Sequence, residues 1–191
     1  YGSGWYGTLW CTHMNMSYPE LPDTLIQIEK ETLKRWKEED LFRESLAANE
    51  GGEPFVFYEG PPTANGRPGL HHVIGRTIKD LVCRFHSMEG RTVTRIAGWD
   101  THGLPVEIEA EKKLGISGKP EIEELGIKEF NQACKDSVFT YKEEWEELSE
   151  RVGYWLEYWR PYVTFHPDYI ESVWWIVKEF AEKGLLYRGH K

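Results

Sequence analysis

Cysteine is scarce in this sequence, and its spacing excludes two common kinds of site. The three cysteines, Cys11, Cys83 and Cys134, stand far apart, and none belongs to a Cys-x-x-Cys pair. Disulfide frameworks and zinc sites both need grouped cysteines. We therefore predict reduced thiols, no zinc or other metal site in this segment, and a cytoplasmic location.

Long apolar runs and an excess of positive charge are also missing. No stretch of the 191 residues approaches membrane-spanning length and no signal peptide is evident, so no membrane partner is predicted. Lys and Arg number 23 against 32 Asp and Glu, and the net charge is −9 at pH 7. Because nucleic-acid backbones demand clustered Lys and Arg, this segment alone is not expected to hold RNA.

The amino-terminal residues differ in composition from the rest. Residues 1–15 are rich in glycine and aromatic side chains and end in His13-Met14-Asn15, so we interpret them as a tag or other non-native extension, with a natural extension as the alternative. Residues 16–53 are predicted to form an N-terminal helix and a linker. The helix starts near Pro22-Asp23-Thr24, and its apolar face holds Leu25, Ile28, Leu33, Trp36 and Leu41.

The stretch 60–72 combines turn residues with two histidines. A strand is predicted at 54–59, and apolar residues from Ile74 to Met88 recur at helical spacing. A helix N-terminus presents unpaired N–H groups and the positive end of the helix dipole, so phosphate binds there readily, and His71 and His72 add donors. The same residue types make ordinary turns, so phosphate binding and a plain turn are equally open from this stretch alone.

A second loop occupies the same position relative to a strand and a helix. A strand is predicted at 91–97, and the following run, 98–107, holds Asp100 and His102 before a helix opens near Pro105. Ligands collect at the carboxyl ends of parallel strands in α/β sheets. Taken alone, Asp100 is more typical of a helix N-cap. Two such loops on neighbouring βα units favour a nucleotide site.

Four segments together carry a specific resemblance to a known family. They are 58–66 (YEGPPTANG), 98–107 (GWDTHGLPVE), 130–134 (FNQAC) and 169–175 (YIESVWW). From about Leu21 to Lys191 the chain resembles the amino-terminal half of the catalytic domain of class I aminoacyl-tRNA synthetases, most closely the isoleucyl enzymes. The second segment favours isoleucine, because leucyl enzymes continue Ala-Phe-Gly after Gly-Trp-Asp and valyl enzymes read Gly-Thr-Asp-His-Ala-Gly.

The resemblance implies an α/β fold and a partial domain. Residues 54–191 would be the first half of a Rossmann-like, parallel-sheet nucleotide-binding catalytic domain, ending before the editing insertion. The Lys-Met-Ser-Lys-Ser loop, the second half of the nucleotide fold and the anticodon-binding helices would belong to a longer, monomeric parent, through which tRNA(Ile) binds.

The implied activity is ATP-dependent activation of L-isoleucine to isoleucyl-adenylate and its transfer to tRNA(Ile), with Mg²⁺ accompanying ATP as substrate. No covalent enzyme intermediate is needed, so catalysis rests on positioning and on neutralising charge. The implied ATP contacts are Thr63, Asn65, Gly66, Gly69, His71 and His72, of which His72 and His71 are catalytic. The implied amino-acid contacts are Gly60, Pro61, Asp100 and His102, with Asp100 holding the ammonium group.

One departure from the family concerns its His-x-Gly-His signature. Alignment outward from Lys79-Asp80 places the signature at Gly69-Leu70-His71-His72, so the residues at its first and third positions are exchanged. A register slip is disfavoured by the helix pattern, and loss of function remains open because an imidazole could obstruct adenine. We favour a working variant, since a subset of isoleucyl enzymes resembles this arrangement.

Further helices are predicted downstream. A turn at 115–120 should precede one long helix with a single apolar face, and a later helix should end at Gly184 before a strand that starts at Leu185. The tryptophans of these segments are expected to be core rather than RNA-stacking residues. The long apolar face consists of Phe130, Cys134, Val138, Tyr141, Trp145, Leu148 and Val152.

Two alternatives to an isoleucine–tRNA ligase fragment stay open. The chain could be a truncated nucleotide-binding module without turnover, or it could act on another amino acid as a valyl- or leucyl-type enzyme does. A nucleotidyltransferase of the same fold superfamily is disfavoured by the run 98–107 and by the N-terminal helix.

The exchanged signature predicts altered inhibitor binding. If His71 reshapes the ATP subsite, competitive inhibitors that fit closely against the family's glycine should bind poorly to the complete enzyme. Swapping Gly69 and His71 and titrating such an inhibitor should restore tight binding. Unchanged affinity after the swap would refute this reading of His71.

Overall fold

Helices and short parallel strands alternate along the chain in the computed structural model, which describes residues 24–190. The predicted extension 1–15, residues 16–23 with the start at Pro22-Asp23, and Lys191 lie outside the described residues. The helices are α1 (Leu25–Glu38), α2 (Leu41–Ala47), α3 (Leu70–Met88), α4 (Leu104–Leu114), α5 (Gly118–Leu125), α6 (Ile127–Ser137), α7 (Lys142–Arg151) and α8 (Pro167–Glu182). The strands are β1 (Pro54–Phe55), β2 (Thr92–Val93), β3 (Ile96–Trp99) and β4 (Glu157–Val163).

The strands pair in parallel, which confirms the predicted α/β class. β1 pairs with β2, and β3 pairs with β4 with an irregularity between Ile96 and Gly98. An isolated parallel bridge joins Thr63 to Asp100. Parallel pairing requires a crossover connection, and α3 supplies it between β1 and β2. The two predicted ligand loops therefore lie at the same end of parallel strands.

Two predicted strands are shorter in the structure than their patterns indicated. The strand predicted at 54–59 is regular only at β1, and the strand predicted at 91–97 is divided into β2 and β3. Beyond β1, where backbone pairing stops, a side chain supplies a hydrogen bond instead: the Tyr162 hydroxyl donates to the Glu59 carbonyl at 2.7 Å. This ring passes so close to Gly98 that any Cβ there would collide with it. No local sequence pattern predicts that a side-chain hydrogen bond would take the place of backbone pairing here.

Helices form where they are predicted, but two predicted continuous helices are divided into shorter ones. Thr24 caps α1 as predicted, with its hydroxyl 3.3 Å from the Gln27 amide nitrogen, but Asp40 adopts a left-handed conformation and separates α1 from α2. Three helices stand where one long helix is predicted, and the first of them, α5, begins at Gly118, within the turn predicted at 115–120. Gly126, at φ +108°, ends α5, and the Tyr141 amide donates to Ala64 across the fold, so α6 and α7 are separate.

At the carboxyl-terminal end the predicted helix is present and the predicted strand is not. α8 is present, and Gly184 follows it with φ +69° as a left-handed helix stop. The strand predicted at Leu185 is wrong, because residues 185–190 carry no regular structure. Conversely, β4 forms at Glu157–Val163, where the sequence pattern predicts no strand.

Two aromatic-rich clusters form the core beneath the loops. One contains Ala64, Trp99, Trp145 and Val163, and the other contains Ala97, Tyr154 and Leu156. The prediction that the tryptophans are core residues is confirmed for Trp145, which is 2% exposed. It is wrong for Trp159, Trp174 and Trp175, which are exposed.

Apolar faces of two helices remain exposed. On α3, Ile78 is 57% and Leu81 65% exposed, and on α8 Trp174 is 68% exposed. No helix among residues 24–190 is both long and apolar enough to cross a membrane.

Candidate functional site

A cleft of about 450 Å³ opens between the first loop and α3. Its lining consists of loop positions 59–63, 66 and 67, α3 positions 71, 72, 75, 76 and 79, and Trp145. Six residues predicted for ligand binding are among them: Gly60, Pro61, Thr63, Gly66, His71 and His72. At Gly60 and Gly66 no atom lies within 4 Å of where a Cβ would be, so both backbones face open space.

His72 is fixed by a hydrogen bond to the start of its own helix. Gly69 is the N-cap of α3, and its amide donates to His72 Nδ1 at 2.8 Å. A side chain at the third helical position that reaches back to the N-cap amide is half of a capping box. Because Nδ1 accepts, the proton of the neutral ring is on Nε2. His72 is therefore a hydrogen-bond donor at the cleft.

The surroundings of His72 weaken proton binding to its ring. Burial lowers the pKa of His72 below its ordinary value, proximity to His71 and Arg76 lowers it further, and the hydrogen bond with the Gly69 backbone acts in the opposite direction. Trp145 packs edge-on against the ring, with centroids 4.6 Å apart. A neutral imidazole with a fixed N–H can donate to an anionic oxygen without adding a charge that must be desolvated.

The exchanged signature has a direct structural consequence at Gly69. The His71 and His72 ring centroids are 3.8 Å apart, so His71 lies over the start of α3. A Cβ at Gly69 would lie 2.9 Å from His71 Cε1. A larger residue at position 69 would therefore force the His71 ring to shift, whereas replacing His71 by glycine would create no such contact.

The first loop is tied to α7 from outside the cleft. The Trp145 indole N–H donates to the Gly66 carbonyl at 2.8 Å, and the Tyr141 amide donates to the Ala64 carbonyl at 2.9 Å. Arg67 contacts Glu144 with 3.2 Å between Nε and Oε2, although both side chains are exposed. The indole bond matters most because Trp145 is buried and its ring also supports His72.

Glu59 links the other side of the loop to α3. Its carboxylate is buried, and Lys79 Nζ lies 2.6 Å from Oε1. The Tyr154 hydroxyl donates to Oε2. Burial raises the pKa of Tyr154, and the negative charge of Glu59 raises it further, so this tyrosine remains a protonated donor. Both oxygens of a buried carboxylate are thereby satisfied, as burial of a charge requires.

Asp100 lies beside the cleft at the end of β3. Its amide donates to the Pro62 carbonyl at 2.9 Å, and its carboxylate lies at 3.5 Å from the hydroxyls of Thr63 and Thr164. These distances are at the outer limit for hydrogen bonds. Thr101 instead bonds tightly to Thr164, with 3.0 Å between their hydroxyl oxygens. Asp100 thus keeps acceptor capacity for a ligand cation, and Thr63 connects it to the cleft.

The remaining predicted site residues lie farther from the cleft. His102 is exposed, with Nδ1 3.9 Å from Asp100 Oδ1. Asn65 Nδ2 donates to the Pro105 carbonyl at 2.9 Å, which ties the first loop to the start of α4. That bond engages the Asn65 amide nitrogen within the protein, and the assignment of Asn65 to ATP stays a prediction.

The arrangement suits an anion on one side and a cation on the other. The helix start, His72 and the basic side chains of α3 surround the cleft, and the carboxylate of Asp100 stands beside it. Among residues 24–190, no group of three or more His, Cys, Asp and Glu side chains is placed to hold a metal ion.

Pro62, Arg67 and Gly75 of the lining are not predicted from the sequence as site residues, nor are four residues that carry the charge of the cleft or support it. Glu59, Arg76, Lys79 and Trp145 were not predicted as site residues, although Lys79 was used to align the signature. A usable signal was present, because positions 72, 76 and 79 are separated by four and three residues and so share one helix face. Glu59 directly precedes the loop, where a ligand-facing or anchoring residue is expected.

Comparisons with known proteins cover nearly the same part of the chain. The family described as tRNA synthetases class I (I, L, M and V) matches residues 31–191. The isoleucine–tRNA ligase of Clostridium acetobutylicum is 56% identical over 168 residues, which is 88% of this chain and 16% of that protein. Isoleucine–tRNA ligase 2 of Bacillus cereus is 54% identical over 176 residues, 92% of this chain and 17% of that protein. The chain therefore spans about a sixth of the length of the curated relatives it matches.

A solved structure shows a similar fold. The crystal structure of the ternary complex of Agrobacterium radiobacter K84 agnB2 LeuRS-tRNA-LeuAMS matches with a TM-score of 0.55 at 21% sequence identity. The match covers 84% of this chain and 18% of that chain. At this identity the likeness bears on the fold alone, and it agrees with a Rossmann-like α/β arrangement.

The lowered pKa of His72 predicts a pH dependence. Folding weakens proton binding at His72. The contribution of His72 to the free energy of unfolding should therefore be constant above about pH 6.5 and should fall as the pH drops from there toward the lowered pKa. In an NMR titration of the histidine ring protons, the His72 signal, assigned by its loss in His72→Gln, should have its midpoint below 6.5. A midpoint at or above 6.5 would contradict this account of the cleft.

Proposed function

Since the chain belongs to the class I tRNA synthetases of the isoleucine, leucine, methionine and valine group, we propose that it supplies the ATP and amino-acid half-site of an isoleucine–tRNA ligase. The reaction is activation of L-isoleucine by ATP with Mg²⁺, followed by transfer of the isoleucyl group to tRNA(Ile). In the first step the isoleucine carboxylate oxygen bonds to the α-phosphorus, and the bond to the bridging oxygen breaks as pyrophosphate leaves with its electron pair.

One observation carries this proposal: the bridge between Thr63 and Asp100 places the two ligand loops side by side. An anion-binding helix start and a carboxylate with spare acceptor capacity are thereby adjacent. Activation of an amino acid needs this combination, because phosphates and an ammonium group must be held together. Identity of 53–56% with proteins named isoleucine–tRNA ligase supports isoleucine as the amino acid.

We assign the amino-acid side of the site to the residues around Asp100. Asp100 binds the ammonium group, since a cation in a half-buried pocket requires an opposite charge. The Pro61 carbonyl assists, and Gly60 lets the amino acid approach the backbone because no neighbouring atom fills the space beside it. His102, whose Nδ1 is 3.9 Å from Asp100, orients that carboxylate.

The nucleotide side belongs to the first loop and the start of α3. His72 donates its Nε2–H to phosphate oxygens, and Gly69 and His71 shape the subsite. Thr63, Asn65 and Gly66 complete the ATP contacts in this assignment. Neutral donors fixed before the reaction stabilise charge that develops on the phosphate without a reorganisation cost.

The same proposal covers organisation and partners. Residues 54–191 belong to the first half of the catalytic domain, α1 and α2 precede it, and residues 1–15 are a non-native extension. Contact with tRNA(Ile) comes mainly from other parts of a monomeric, cytoplasmic parent, in agreement with the net charge of −9 on this chain. A nucleotide-binding module without turnover is the second candidate, because the chain spans about a sixth of its relatives.

Isoleucine-dependent exchange of pyrophosphate into ATP, measured on the complete enzyme that contains this chain, tests the proposal. Exchange should be faster with isoleucine than with valine by roughly ten- to two-hundredfold, which is the discrimination that one methylene group allows. Equal exchange with leucine or valine would contradict the isoleucine assignment. Binding of ATP without exchange for any amino acid would favour the second candidate.

Asp100→Asn tests the amino-acid side within the same assay. Loss of the negative charge should raise the isoleucine concentration for half-maximal exchange by about tenfold or more, because a charge-assisted bond is removed, and leave the ATP requirement nearly unchanged. Asp136→Asn is the matched control, since Asp136 is exposed on α6 and bonds only locally to Gln132. An unchanged isoleucine requirement in Asp100→Asn would remove Asp100 from the site.

A further inference from the structure

Arg76 is the one cleft-lining cation that is both buried and lacks hydrogen bonds at two nitrogens, within the part of the chain that the structure describes. It is 4% exposed and follows His72 by one turn of α3. Its Nε and Nη1 atoms are buried without a hydrogen-bond partner. Arginine does not lose its proton in proteins, so this side chain cannot escape the cost of burial by becoming neutral.

Two aromatic rings pack against the Arg76 guanidinium but do not accept hydrogen bonds from its N–H groups. Its Cζ atom lies 5.0 Å from the ring centroid of Trp145 and 5.1 Å from that of Tyr154. Such cation–π contacts fix the position of the charge, but they do not accept in-plane N–H bonds. Arg76 is therefore held in place at the side of the cleft with donors to spare.

The nearby acidic groups are already engaged. Glu59 accepts from Lys79 and Tyr154, and Glu144 contacts Arg67. The positive charges of Lys79 and Arg67 are thus each matched by one carboxylate, and that of Arg76 is not. The net positive charge of the cleft is concentrated at the residue with the fewest partners, although the whole chain carries −9.

We propose that Arg76 is a phosphate-binding residue, and that the polyphosphate of the nucleotide supplies the partner that its guanidinium lacks. The inference rests on the proposed function for the identity of the ligand. Arg76 and His72 share one face of α3 one turn apart, so both act on the same anion near the helix start. A guanidinium suits phosphate because its planar N–H donors match the phosphate oxygens.

A ligand-binding role and a structural role predict opposite effects for Arg76→Met. Methionine is similar in length and carries no charge. If Arg76 serves the ligand, the substitution should weaken binding of inorganic pyrophosphate and of ATP by about tenfold or more, which corresponds to at least about 1.4 kcal/mol. The thermal unfolding midpoint without ligand should stay the same or rise, because an unpaired buried charge is removed.

Arg43→Met is the matched control. Arg43 also lies over an aromatic ring, 4.6 Å from the Trp159 centroid, but it is outside the cleft. Its substitution should leave pyrophosphate binding unchanged, as measured by isothermal titration calorimetry on the same 191-residue chain. Should Arg76→Met fail to fold, Arg76→Lys decides the question, since loss of the planar group should weaken pyrophosphate binding severalfold.

Several results would overturn the assignment. Unchanged pyrophosphate affinity in a folded Arg76→Met or Arg76→Lys variant contradicts it, and so does an unsubstituted chain that binds neither pyrophosphate nor ATP. Weaker isoleucine binding with unchanged pyrophosphate binding would assign Arg76 to the amino-acid carboxylate instead. Failure of isoleucine-dependent exchange in the complete enzyme, with pyrophosphate binding that depends on Arg76, would refute the proposed function and leave this inference intact.

Discussion

The geometry of the cleft depends on the hydrogen bonds and the ion pair that hold the buried residue Glu59. Lys79 reaches it from α3, Tyr154 from the segment before β4, and Tyr162 bonds to the backbone carbonyl of the same residue. Three separate parts of the chain thus meet at the residue immediately before the ligand loop. Since removal of one partner of a buried charge pair is far more costly than loss of a surface pair, this point constrains where the loop can lie.

Asp80 performs a similar task one residue farther along α3. It contacts Arg84 in the next turn, lies 3.5 Å from the buried Arg95 before β3, and accepts the Trp155 amide at 3.3 Å. Lys79 thus connects α3 to the residue before the loop, and Asp80 connects it to the residues that precede β3 and β4. The start of the helix is held by different residues, with Trp145 against His72 and the loop carbonyl of Gly66. A cleft that must bind a flexible polyphosphate is in this way built on a fixed helix.

Much of this was predictable from the sequence, and the failures have definite causes. The two loops and the helices that follow them were predicted correctly, because turn residues and apolar periodicity are local signals. The strands were overextended, since the Tyr162 hydroxyl takes the place of a ladder bond at Glu59 and a contact 103 residues away leaves no local trace. The break between α6 and α7 likewise depends on a distant acceptor, Ala64. Arg76 was missed because an arginine on a helix is ordinarily a surface residue, and only tertiary packing shows that it is buried.

A double-mutant cycle between Glu59 and Lys79, measured by urea unfolding, tests the central role of Glu59 most directly. Lys79→Met should destabilise by about 3 kcal/mol or more, because it leaves a buried carboxylate short of a partner. Glu59→Gln should cost less, since Lys79 is 32% exposed and can turn to solvent. We predict a coupling energy above about 1 kcal/mol, larger than that of typical exposed pairs. Additive effects within about 0.5 kcal/mol would show that the pair does not hold the loop to α3.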